Sequence, residues 1–270
     1  MAGRVFQFFY WLISSVVFIL GIIAMIIYNI SVIIKQKNLA EIKNDFINNM
    51  THEFKTPIST IQLSSEMLMK SDIHKCPGRL KQYANIIGEE NQRLKNQVER
   101  VLQIARLDKD DVSLELQPIP MHELIKEVVD GFTNILTSST LTVKFLFNAT
   151  NDLVLGDRLH LKNVFSNIIE NAVKYSRGEA VLTIESRYQN GEISLRFIDN
   201  GIGISKEHQK HIFDKFYRVP TGNVHDVKGF GLGLFYVKNM VGAHKGSVKV
   251  YSEPENGSCF EITLKTQEIG

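Results

Sequence analysis

The sequence predicts a multidomain chain: an N-terminal transmembrane helix, an α-helical hairpin that pairs into a dimeric four-helix bundle, and an α/β two-layer sandwich. Three observations carry that reading. No charged residue occurs from Val5 to Ile34, whereas the remainder has an ordinary soluble composition. From Ser31 to Lys70 a helical apolar stripe continues with one proline and no glycine. Beyond residue 111 strand-like runs alternate with helical ones, the pattern of a sheet covered by helices on one face. The expected division is 1–34, 35–110 and 111–270.

The first element is set by length. Val5 to Tyr28 is 24 residues, a rise of roughly 36 Å as a helix against a hydrocarbon core of about 30 Å. Phe8, Phe9, Tyr10 and Trp11 form an aromatic belt at one end, and Lys35, Lys37 and Lys43 mark the cytoplasmic side at the other. A cleaved signal peptide is the competing reading. Its apolar core would run about 7–15 residues before a small-residue cleavage site, and Tyr28-Asn29-Ile30-Ser31 offers a poor one. The lipid bilayer is therefore an expected partner. Nucleic acid is not, because a net charge of +2 provides no basic face. Cys76 and Cys259 are far apart and lack metal-ligand spacing, which fits a reducing compartment better than a disulfide.

The second element is helical. Leu39, Ile42, Phe46, Met50, Phe54, Ile58 and Ile61 step by three or four, giving one stripe on a long helix. The pattern breaks at Lys75-Cys76-Pro77-Gly78 and resumes from Leu80 to Ala105. A lone hairpin buries its two stripes poorly, whereas two hairpins docked as a four-helix bundle bury both, so a homodimer is expected. The charged run Asp108 to Asp111 reads as a linker. Past it, strands are expected at Leu141–Phe147, Val181–Tyr188, Ile193–Ile198, Ser247–Tyr251 and Phe260–Leu264. Helices are expected at Met121–Leu136, Asp157–Tyr175, Lys206–Ile212 and Leu232–Val241.

Chemistry enters with His52. At about 100° per residue it points roughly 160° from both Met50 and Phe54, away from the apolar stripe. An ordinary surface histidine shares that geometry. What favours more is the setting: Glu53 is adjacent and able to take the ring proton. Basic Lys55 can offset phosphate charge, and Pro57 one turn on should loosen the helix. Further along, Asp199-Asn200-Gly201-Ile202-Gly203 ends a strand, where an aspartate can accept from a purine amine and glycines let the backbone approach the ring. Asp-Asn-Gly is also a common turn. Gly229-Phe230-Gly231-Leu232-Gly233-Leu234 opens a helix whose free N–H groups can cradle phosphates. No P-loop motif occurs, and the late position of this glycine run argues against a dinucleotide fold. Asn167, Asn171 and Lys174 are spaced by four and three, on one helical face. Two amides and a lysine suit a magnesium-bound polyphosphate; a merely solvated face is the alternative.

These segments together resemble the sensor histidine kinases. Phe46 to Pro57 looks like their phosphoacceptor motif, and Asn167 to Tyr175 like their asparagine motif. Asp199–Gly203 and Gly229–Gly233 resemble their two glycine motifs, with Ile212 to Arg218 matching the phenylalanine motif between. All five fall in the family's order, over residues 40 to 267. The resemblance implies a histidine phosphoacceptor hairpin followed by a GHKL (Bergerat) type ATPase domain. It implies a protein histidine kinase that uses ATP and Mg2+ to phosphorylate His52 and passes the phosphoryl group to an aspartate on a response regulator receiver domain. It also implies a setting in the bacterial inner membrane, with the catalytic part cytoplasmic.

Roles follow residue by residue from the resemblance. Glu53 would be the helper base, and Thr56 would position water if the bundle also dephosphorylates its partner. Asn171 would bind the metal, with Asn167 and Lys174 near the phosphates and Tyr175 near the adenine. Asp199 would read the adenine amine beside Gly201 and Gly203, while Gly229, Gly231, Leu232, Gly233 and Leu234 would border the phosphates. Arg218 would reach them from a mobile lid spanning Tyr217 to Lys228. Gyrase, mismatch-repair and heat-shock ATPases share the fold but carry a water-activating glutamate four residues before the metal asparagine. Here that position is Asn167, which disfavours a plain ATPase. An inactive signalling receptor is the other rival, although none of the motifs is broken. The family usually has a second membrane helix and an extracellular sensor, so a longer natural protein is expected. A shift of the membrane helix passed along the helix toward Phe46 is the expected route of regulation.

Overall fold

The computed structural model describes residues 2–70, 73, 76–107, 113–135, 141–219 and 231–267, with side chains left out at 2–10, 12–14, 35, 38–39, 100, 103–107 and 133–135. It forms two compact units, 1–48 and 49–270. The linker at 108–111 and the belt and anchor side chains Phe8, Phe9, Tyr10 and Lys35 lie outside what is described.

Helix α1 runs Ala2–Leu68. Within the first unit, Ser15–Ile34 is long and apolar enough to cross a membrane, with mean hydropathy 2.7 and no residue buried. It runs past the expected end at Tyr28 and takes in Asn29 and Ser31. Both fold their polar groups back onto the helix: Asn29 Nδ2 donates to Met25 O at 2.8 Å and Ser31 Oγ to Ile27 O at 2.9 Å. Such local bonding removes the cost of polar groups in hydrocarbon.

In the second unit α1 continues through Pro57 to Leu68 without a break. Pro57 has no N–H to give the carbonyl four residues back. Around it, Thr56 Oγ1 donates to His52 O at 3.3 Å and Thr60 Oγ1 to Thr56 O at 3.1 Å. Helix α2 then spans Pro77–Leu107, with proline at its first position, where a missing N–H costs nothing.

The remainder is the expected α/β part, with two strands the pattern did not reveal. β1 (Gln117–Pro120) pairs antiparallel with β3 (Leu153–Gly156). Four residues each, with prolines at half of β1, leave too little alternation to read. Between them come α3 (Met121–Ile135) and β2 (Leu141–Phe147). There follow α4 (Arg158–Lys174), β4 (Ala180–Gln189), β5 (Glu192–Asp199), α5 (Lys206–Gln209), α6 (Gly233–Ala243), β6 (Ser247–Ser252) and β7 (Ser258–Lys265). The main sheet has the order β2-β4-β5-β7-β6. Its β2–β4 pair is parallel and its other pairs are antiparallel.

Alternation places Leu182 and Ile184 of β4, Ile193, Leu195 and Phe197 of β5, and Phe260, Ile262 and Leu264 of β7 on one face. They share a core with Leu124 and Val128 of α3, Phe165 and Ile169 of α4, and Val237 and Val241 of α6. These helices thus pack on one face of the sheet. The helix expected over Lys206–Ile212 stops at Gln209. Gln209 spends its amide on two loop carbonyls, Ile204 O and Ser252 O, both at 2.7 Å. The chain then turns, reaching the left-handed region at Phe216.

Candidate functional site

The carboxyl end of β5 delivers Asp199. Its Oδ1 accepts from Gly201 N–H at 2.8 Å and from Ser258 N–H at 3.0 Å. Both donors end on one oxygen, so Oδ2 remains for a ligand. Burial pushes the Asp199 carboxyl up, partly offset by those two N–H groups. The loop is held from behind. Ile202 N–H donates to Tyr175 O at 3.0 Å, Glu255 N–H to Ile202 O at 2.8 Å, and Ile204 N–H to Ser252 Oγ at 2.8 Å.

The glycine at 203 borders the cavity and also answers to this support. Gly203 has φ +72°, and a Cβ there would collide with the Glu253 carbonyl in the β6–β7 turn.

Helix α4 supplies the second wall. Asp157 caps it, its side chain accepting from His160 N–H at 3.0 Å, and also accepts from Glu115 N–H at 3.0 Å. Asn167, Asn171 and Lys174 then face one cavity of about 650 Å³, together with Tyr175. Asn167 is already engaged: Nδ2 donates to Asn163 O at 2.8 Å, and a Cβ on Gly233 would sit 2.6 Å from Asn167 Oδ1. The first turn of α6 therefore packs directly on the Asn167 side chain, which would have to shift to admit a Cβ at 233. By contrast, the Asn171 side-chain amide makes no hydrogen bond among the described residues. Lys174 Nζ lies 5.2 Å over the Tyr175 ring. Burial raises the Tyr175 phenol, against the lowering effect of nearby Arg218.

Gly231, Leu232, Gly233 and Leu234 border the same cavity, as do Asp199, Gly203 and Arg218. Gly201 stands behind Asp199 and Gly229 lies outside the described residues, as does the expected lid from 220 to 228. On the hairpin side Glu53 lines the cavity, while His52 beside it is exposed and does not. Thr56 is exposed on the next turn, its hydroxyl on the His52 carbonyl.

Three contributors escaped the sequence reading. Ser258 acts through its backbone, which no residue pattern reports. Tyr236 of α6 is buried at the cavity, its hydroxyl 2.7 Å from His160 Nδ1, and burial pushes its phenol up to about 12. A stretch of α2, including Gln92, Arg93 and Asn96, adds polar side chains to the lining of the cavity.

The donor set fits a nucleotide triphosphate: a half-free carboxylate at one end, a helix N-terminus opened by a glycine packed on Asn167 at the other, amides and cations between. Among the described residues no group of three or more His, Cys, Asp or Glu could hold a metal by itself. A divalent ion therefore fits only alongside phosphate oxygens, with Asn171 as the neutral oxygen the chain adds.

Comparison with known proteins places two stretches of the chain in known domain families. Residues 42–110 match the His Kinase A (phospho-acceptor) domain, and 156–268 match the histidine kinase-, DNA gyrase B- and HSP90-like ATPase. The chain is 43% identical over 256 residues to sensor protein RprX of Bacteroides fragilis, covering 94% of this chain and 49% of RprX. It spans about half the length of the curated relatives it matches, from 40% to 57%. In fold it resembles the Acinetobacter baumannii histidine kinase AdeS, at TM-score 0.57 and 20% identity, over 80% of this chain and 98% of that one. It also resembles histidine kinase ThkA, solved in complex with response regulator protein TrrA, at TM-score 0.55 and 23% identity, over 81% and 60%. With a phosphoacceptor domain and its ATPase domain in family order, the chain belongs to the two-component sensor histidine kinases.

Proposed function

We propose that this chain is the membrane-anchored kinase part of a sensor: it phosphorylates His52 from ATP and hands the group to a receiver-domain aspartate. The observation that carries the reading is one cavity bordered both by Glu53, beside His52, and by the Asp199, Asn171 and Gly233 walls. In the transfer, a ring nitrogen of His52 forms a bond to the γ-phosphorus. The bond from that phosphorus to the β,γ-bridging oxygen breaks, ADP leaves with the electron pair, and Glu53 takes the ring proton. Asp199 Oδ2 orients the base through its amine. The N–H groups opening α6 and the ammonium of Lys174 meet phosphate oxygens, with Arg218 reaching them from the lid side. Asn171 would hold Mg2+, which would screen the phosphate charge. Asn167 keeps α4 and α6 in register, and its amide cannot activate water as a glutamate would, which separates the chain from the plain ATPases.

The division into an anchor at 1–34, a dimerising hairpin at 35–110 and an ATP-binding domain at 111–270 belongs to the same reading. So do homodimerisation as a four-helix bundle, a lid from Tyr217 to Lys228, and a place in the bacterial inner membrane with the catalytic part cytoplasmic. Thr56, one turn from His52, positions water for the reverse reaction on the phosphorylated receiver. That ThkA crystallises with TrrA supports a receiver partner. The test is a pulse-chase on the full chain in lipid nanodiscs. After loading with γ-labelled ATP, adding candidate receiver domains should move the label to one of them within seconds to minutes. Label that stays on the chain with every receiver, or leaves only as free phosphate, counts against the proposal.

A further inference from the structure

We infer that Arg93 of α2 is a further phosphate-binding residue of the transfer step, taking the charge of the γ-phosphoryl group as it passes to His52. This rests on the phosphotransfer reading above. Three independent observations support it. Arg93 lines the nucleotide cavity from the hairpin side. Its side chain is 42% exposed, and among the described residues its ion pairing is limited to Glu90 at 3.9 Å, the edge of useful contact. Its level along the hairpin matches that of the acceptor: His52 lies sixteen residues before the end of α1, and Arg93 sixteen residues after the start of α2. At 1.5 Å per residue both stand about 24 Å along their helices from the connecting segment.

Charge makes the case specific. On the hairpin side the cavity is lined by two acids, Glu53 and Glu89, and by the amides of Gln92, Asn96 and Gln97. Gln92 and Asn96 bond to each other at 3.0 Å. Without Arg93 this wall would turn acids and amides alone toward an incoming triphosphate. The other cations of the cavity, Lys174 and Arg218, stand on the catalytic side near Tyr175. They can hold the nucleotide but cannot draw its terminal group toward α1. A planar guanidinium suits that task, since it grips phosphate oxygens with two parallel donors. As the bond to the leaving ADP breaks and the bond to His52 forms, Arg93 keeps its charge and gives up no proton.

The assignment is tested in the full chain in nanodiscs with Arg93→Gln and Arg93→Lys. In a His52→Ala background, which prevents turnover, affinities for ATP and ADP are measured separately with fluorescent analogues. Because Arg93 reads the terminal phosphate, Arg93→Gln should weaken ATP about tenfold and leave ADP within about twofold. With His52 present, its labelling rate should fall by roughly tenfold or more, and Arg93→Lys should recover part of it. Retained ADP binding also certifies the fold of each variant. Equal losses for ATP and ADP, or a labelling rate within twofold of wild type, would overturn the assignment. If wild type itself takes no label, the phosphotransfer reading fails and the assignment with it.

Discussion

At Asp199 two backbone donors, Gly201 N–H and Ser258 N–H, converge on a single oxygen, so the side chain is aimed before any ligand arrives. Replacing Asp199 by Asn keeps an acceptor for those donors but removes the charge and turns an amide toward the base. ATP affinity should fall about 10- to 100-fold, as expected for loss of a charged hydrogen bond, with the fold intact by circular dichroism. Gly203 is the contrasting case. Its φ of +72° and its contact with the Glu253 carbonyl leave no room for a methyl. Gly203→Ala should destabilise the domain by about 1–3 kcal/mol in thermal unfolding, with ATP affinity falling alongside. Both residues were legible as important from the motif, but the contact of Gly203 with Glu253 was not. The sequence shows that a glycine is needed, not which neighbour requires it. His52 was legible because its helical phase turns it away from the apolar stripe and Glu53, Lys55 and Pro57 surround it in sequence, and it is exposed in the structure. Arg93 was not legible, since its environment depends on how α2 meets residues more than seventy positions away.

Between elements, the α4–α6 contact decides the shape of the phosphate end. It is pinned at Asn167 against Gly233, and one turn further on by the Tyr236 hydroxyl on His160 Nδ1. Burial pushes the Tyr236 phenol up to about 12, so it stays a neutral hydrogen-bonding group at any working pH. Tyr236→Phe keeps the ring packing and deletes the hydroxyl. It should cost about 1 kcal/mol of stability and raise the KM for ATP more than it lowers kcat, read from initial rates. The long periodic elements were the legible ones: β2 runs Leu141–Phe147, as its alternation indicates. The two-stranded β1–β3 sheet was hidden because four residues carry almost no period. The α5 segment reads as a longer helix than it is. Gln209 and His208 bond outward, to loop carbonyls and to the Tyr217 hydroxyl at 2.7 Å, and the chain turns after them.

For the whole molecule, two histidines set the response to acid. His244 donates from Nδ1 to Met240 O at 2.7 Å and accepts at Nε2 from Asp157 N–H at 2.9 Å, an arrangement that only the neutral ring satisfies. Burial lowers its pKa. Burial also lowers that of His122, although Asp152 opposes it. The unfolded chain therefore takes up protons that the folded one refuses, from about pH 6.5 downward. Stability should fall as pH drops through that range and hold steady above it. His244→Gln should show a shallower fall in thermal midpoint between pH 7.5 and 5.5. At lower pH the contribution of Asp157, whose carboxyl is held low by backbone N–H groups against its own burial, should be lost as well. The central claim, that one cavity serves both the nucleotide and His52, is tested most directly by labelling. The full chain in nanodiscs is given γ-labelled ATP with Mg2+, with wild type, His52→Ala and Asn171→Ala side by side. The account predicts acid-labile, alkali-stable label on wild type and on neither variant. Label that persists in His52→Ala, or ATP turnover by wild type that releases phosphate and never labels the chain, would contradict it.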